Sequence, residues 1–147
     1  MDESTMSNSF SLLWFAINSV AIPFGAALYG GLVVSRYNRF YNAKDMASRM
    51  IFEIKPVIQK DDPMLRHPRV DEMLQFPVQI LRDSGQMDAH YILLNVATEI
   101  GKELDQAAKD LLAGVPEVKL NKDRWEAEVR MMQPFIRSIY TVRPYQF

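Results

Sequence analysis

The chain has 147 residues, a formal net charge of −1, two histidines and no cysteine. Such a length suits one domain with a short appendage. The missing cysteine excludes disulfide frameworks, thiolate metal sites and thiol nucleophiles, and the near-zero charge gives no field that would draw the chain to nucleic acid.

Residues 1–9 read as a short acidic tail, and residues 10–35 as a transmembrane helix. No Asp, Glu, Lys or Arg falls between Glu3 and Arg36. As a helix, Phe10 to Val34 spans roughly 37 Å at 1.5 Å per residue, enough to cross a hydrocarbon core of about 30 Å with some tilt. Trp14 at one end and Tyr29 and Tyr37 at the other are amphipathic rings suited to headgroup depth. Three other readings compete. A signal peptide needs a basic start and a shorter apolar run, whereas Asp2 and Glu3 stand here and no Lys or Arg precedes residue 36. A buried helix of a soluble protein fits Asn18, Pro23 and the glycines, and a peptide seated in the groove of a larger assembly is the third. Length and lack of charge favour the span.

Arg36, Arg39, Lys44 and Arg49 follow the segment. The positive-inside rule then puts the larger C-terminal part on the cytoplasmic or matrix side, with the N-terminus outside. Trp14, Arg36 and Arg39 mark the membrane boundaries. Ala26 with Gly30, and Ala27 with Gly31, form small-xxx-small pairs, and Gly25 extends them into a helix-packing surface. Pro23 predicts a kink, and Asn18 an interhelical hydrogen bond.

Residues 36–59 continue as a helical extension, with Phe40, Ala43, Ala47, Met50 or Ile51, Ile54 and Val57 or Ile58 at helical spacing until Pro56 disrupts it. Residues 60–85 read as a proline-rich connector with one short helix near Arg69–Phe76, Val78–Leu81 staying ambiguous between helix and strand. The clearest helix runs from Met87 to Ala113. Its stripe is Leu93, Val96 or Ala97, Ile100, Leu104, Ala107 or Ala108, and Leu111, with an Asp105–Lys109 pair outside and Gly114 as the stop. A last helix, capped by Asn121, runs to Thr141 through Trp125, Val129, Met132, Phe135 or Ile136, and Ile139 or Tyr140. Pro134 kinks it, Glu126 pairs with Arg130, and an aromatic tail ends residues 86–147. The fold class is therefore all-α: one N-terminal transmembrane helix, then a small irregular domain of about three helices with a proline-rich connector.

Chemical motifs are missing. Gly30-Gly31, the one glycine pair, lies inside the apolar segment, so no phosphate loop is present. His67 and His90 have no partner at metal-ligand spacing, and His90 reads as a surface or partner contact. Asp61-Asp62 and Asp71-Glu72 fall in sequence expected to be solvated. No cofactor, metal, nucleic acid or small-molecule substrate is expected, and an enzyme ranks last. The overall plan looks like the supernumerary single-span subunits of energy-converting membranes, such as respiratory-chain complexes or ATP synthase, in architecture and without a shared motif. That likeness implies a non-catalytic subunit whose partners are the bilayer and other membrane-complex subunits, in the mitochondrial inner membrane ahead of a bacterial one. A free-standing anchored adaptor for a soluble partner is the alternative.

Overall fold

The computed structural model describes residues 3–65 and 69–141. The chain divides into two compact units, Met1–Arg36 and Tyr37–Phe147.

The first unit is helical from Glu3, so the segment expected to be a tail already belongs to a helix. Helix α1 (Glu3–Ala16) passes through a π-turn (Ile17–Ala21) into α2 (Ile22–Phe52). Pro23 accounts for the wide turn. It has no N–H for the Ser19 carbonyl and its ring crowds that oxygen. The ladder slips by one residue instead, with the Ile22 N–H donating to the Ile17 carbonyl. The kink expected at Pro23 is thus expressed as a π-turn just before it. Polar groups here bond within their own helix. The Ser9 hydroxyl donates to the Thr5 carbonyl (2.9 Å) and the Asn18 Nδ2 to the Trp14 carbonyl (3.0 Å). Asn18, expected to reach a neighbouring helix, therefore spends a donor locally.

In the second unit, the rest of α2 buries Phe40, Ala43, Ala47 and Ile51. Strand β1 (Val57–Gln59) pairs antiparallel with β2 (Glu117–Lys119), Ile58 opposite Val118. Then come α3 (Val70–Met73), α4 (Gln75–Asp83), α5 (Met87–Leu112), α6 (Lys122–Arg130) and α7 (Ile136–Tyr140). The helix α5 is central, with α3, α4, α6 and β2 packed on it. Its buried stripe, Leu93, Val96, Ala97, Ile100, Leu104, Ala107 and Leu111, meets Leu74, Val78, Leu81, Trp125, Val129 and Met132. Gly114, at φ +105°, supplies the left-handed stop after α5.

Three expectations are corrected. The domain has about five helices, not three, and is mostly helical with one short β-ladder rather than strictly all-α. The stretch read as a connector contains α3 and α4, because Pro77 sits in the first turn of α4, where a missing N–H costs nothing, and Val78 and Leu81 are buried. The last helix is broken rather than kinked. It stops at Arg130, four residues before Pro134, and resumes as α7. Phe135, Ile136 and Tyr140 are exposed, while Ile139 is buried.

Candidate functional site

Two prolines and two lysines organise the second unit. Pro56 and Pro134 cannot donate to the carbonyls four residues earlier, Phe52 and Arg130, which end α2 and α6. Each freed carbonyl takes a lysine from the other helix. The Lys122 Nζ donates to the Phe52 carbonyl (2.8 Å), and the Lys44 Nζ to those of Arg130 (2.9 Å) and Met132 (2.8 Å). Lys122 also stands 5.0 Å above the Phe52 ring and 3.9 Å from Glu126. Each cation thus meets the negative end of a helix. The sequence holds a signal for this arrangement, a helical carbonyl four residues before a proline, but not for which lysine answers it.

A second cluster ties α3 to α5. The Arg69 guanidinium pairs with Asp105 (2.7 Å) and Asp71 (3.3 Å) and donates to the Gly101 carbonyl (3.0 Å). The hydrogen bond from Asp105 raises the pKa of Arg69, against a smaller desolvation penalty and with added charge from Asp71 and Glu72. Asp105, expected to pair with Lys109, thus reaches across to Arg69. Glu126, expected beside Arg130, is nearer Lys122, and Arg124 pairs with Glu99 (3.1 Å) and Glu128 (3.3 Å). Asp62, expected to be solvated, is buried. One of its oxygens accepts the Met64 N–H (3.0 Å) and the other lies 3.3 Å from Lys55. An open cleft of about 820 Å³ beside it is lined by Lys60, Pro63, Pro116 and Glu117. With both oxygens engaged, Asp62 is no ready general base.

His90 is buried, not a surface contact. Its Nδ1 lies 3.1 Å from the Val78 carbonyl, which makes that nitrogen the donor, and its ring meets Tyr91 edge to face. It pins α4 to α5. His67 and the aromatic tail, Tyr145 to Phe147, lie outside the described residues. Among the described residues no group of three His, Asp or Glu side chains is placed to hold a metal ion.

The helix-packing residues lie on the first turns of α2. Ala26 and Gly30 are one turn apart, as are Ala27 and Gly31, and all five with Gly25 are exposed. A Cβ added at Gly25, Gly30 or Gly31 meets nothing within 4 Å. Trp14 is exposed on α1, and Arg36 and Arg39 lie on α2. From Trp14 to Arg36 the helix rises roughly 33 Å at 1.5 Å per residue, close to a hydrocarbon thickness of about 30 Å. One helix, Thr5–Phe52, is long and apolar enough to cross a membrane, and none of its apolar window is buried within the protein. The aromatic residues Tyr37, Tyr41 and Tyr140 form a cluster that the sequence reading missed, with Tyr37 6.2 Å from both other rings.

The chain matches no protein-family model, no curated protein and no solved structure.

Proposed function

We propose that this protein is a single-span, non-catalytic accessory subunit of a multi-protein membrane complex, contributing to its assembly and stability. One observation carries the reading: the helix surface from Phe10 to Val34 is apolar, and this chain covers none of its large side chains at Phe10, Leu13, Phe15, Val20, Phe24 or Leu28. Leaving so contiguous an apolar surface in water is costly, so lipid and neighbouring helices are the fitting surroundings. The internally satisfied Ser9 and Asn18 donors suit a medium without water. The open positions at Gly25, Gly30 and Gly31 favour close approach of another helix over a plain lipid anchor. Arg36 and Arg39 assign the helical domain to the cytoplasmic or matrix side. An energy-converting membrane, the mitochondrial inner membrane first, is the proposed setting.

Mild detergent extraction followed by a native gel tests the proposal. A constitutive subunit migrates within a larger assembly; migration alone, at its own mass plus detergent, would mean an independent anchored adaptor. Gly30→Leu with Gly31→Leu is expected to weaken that assembly while leaving membrane insertion intact. Unchanged assembly of the double variant would mean that this face looks at lipid.

A further inference from the structure

The short helix α7 is held with one apolar residue inward and others outward. Gln86 accepts the Phe135 N–H through its Oε1, and the Ser138 hydroxyl donates to the Ser84 carbonyl (3.2 Å). Ile139 is fully buried, yet Ile136 is 59% exposed, Phe135 48% and Tyr140 46%. Tyr140 meets Tyr37 edge to face, and Tyr37 stacks on Tyr41, itself 50% exposed. One exposed aromatic and aliphatic patch therefore joins α7 to the turn of α2 at residues 37–41.

Charge and position indicate what covers this patch. In a chain of net charge −1, residues 34–44 and 129–141 contain Arg36, Arg39, Lys44, Arg130 and Arg137 and no Asp or Glu. The nearest carboxylates flanking the turn that holds α7 are Asp83, hydrogen-bonded to Gln79 (2.8 Å), and Asp88. Tyr37 follows Val34, the last residue of the uncharged run, by roughly 4.5 Å of helix. Headgroup layers are about 5–7 Å thick on each side of the hydrocarbon. Tyr37 thus falls at headgroup depth when the preceding residues span a bilayer, and Tyr140 touches it. Amphipathic rings with arginines are the composition that the anionic interface favours.

We propose that α7 and the Tyr37–Tyr41 turn form an interfacial platform that lies on anionic lipid headgroups, a second membrane contact beyond the span. The platform rests on the membrane reading given above. Its chemistry is insertion of Ile136, Tyr140 and Tyr41 at the acyl boundary, with Arg137 and Arg39 on lipid phosphates or carboxylates.

The absence of native cysteine makes the test direct. An environment-sensitive dye is placed on Ile136→Cys, on Val20→Cys within the span, or on Leu112→Cys, which lies roughly 37 Å along α5 from Met87. The full-length protein is reconstituted in phosphatidylcholine vesicles with or without phosphatidylserine. The dye at 136 is expected to blue-shift and resist an aqueous quencher when phosphatidylserine is present, and to lose part of that protection in high salt. Phe135→Cys serves as a second labelling position on the same patch. Arg137→Gln is expected to lower the docked-to-free ratio about fivefold. If 136 is quenched as freely as 112 while 20 stays protected, the platform is refuted and the span survives. If 20 is quenched as well, the span reading itself fails and the platform with it. Protection of 136 only when a co-purified protein is added would mean that a protein covers the patch, which also overturns the proposal.

Discussion

Replacing Lys122 with Met keeps most of the apolar stem and removes the cation from the end of α2. The lost interactions are a charged hydrogen bond to the Phe52 carbonyl at 2.8 Å and a cation over the Phe52 ring. A hydrogen bond to a charged group contributes about 1.5–3 kcal/mol, and a helix C-terminus adds about 0.3–1 kcal/mol. Desolvating the ammonium, whose side chain is 16% exposed, offsets part of this. A net loss of about 2 kcal/mol follows, a sizeable share of a domain stability of about 5–15 kcal/mol. Lys44→Met is expected to cost the same, because Lys44 closes two carbonyls at the end of α6. Positions 44 and 52 are roughly 12 Å apart along the helix, so the two losses should add to about 3–4 kcal/mol. The assay is urea unfolding of the full chain in lipid nanodiscs, followed by emission of the buried Trp125 in a Trp14→Phe background. Midpoints that leave both single variants within about 0.5 kcal/mol of the parent would refute the capping argument.

Gly101→Ala should destabilise by about 1 kcal/mol despite the better helix propensity of alanine, because the new Cβ would stand 2.7 Å from an Asp71 oxygen. In an Asp71→Ala background the same change should turn stabilising; a sign that does not reverse would show that the crowding is not with Asp71. Gly85 and Gly114 separate backbone strain from contact. Both have positive φ (76° and 105°), but only at Gly85 does an added Cβ meet a side chain, Ser138 Oγ at 2.6 Å. Gly114→Ala should therefore cost about 1 kcal/mol and Gly85→Ala more, by thermal unfolding; equal losses would contradict this.

The uncharged run, the α5 stripe and the Gly114 stop were legible because each is local, written in consecutive residues at one period. The turns around Pro56 and Pro134 were legible only in part. A proline announces that a helix ends, but the lysine that receives the freed carbonyl comes from about 70 to 90 positions away in sequence. The pairing of Val57–Gln59 with Glu117–Lys119 was hidden for the same reason. Pro77 misled because prolines near one another resemble a linker, although one in a first helical turn is harmless. His90 was misread because polarity suggests the surface, while a single backbone carbonyl at Val78 is enough to bury an imidazole. The small-residue face on α2 was fully visible in sequence, and the structure adds that this chain puts nothing against its glycines.

The central claim is that the apolar helix crosses a bilayer and separates its two flanks. In sealed vesicles made from the native membrane, a membrane-impermeant maleimide can be offered to Ser7→Cys, Val20→Cys and Leu112→Cys. The account predicts that Ser7→Cys and Leu112→Cys react from opposite faces, Leu112→Cys from the side of Arg36 and Arg39, and that Val20→Cys reacts from neither until detergent is added. Labelling of Ser7→Cys and Leu112→Cys from the same face, or free labelling of Val20→Cys in intact vesicles, would contradict it.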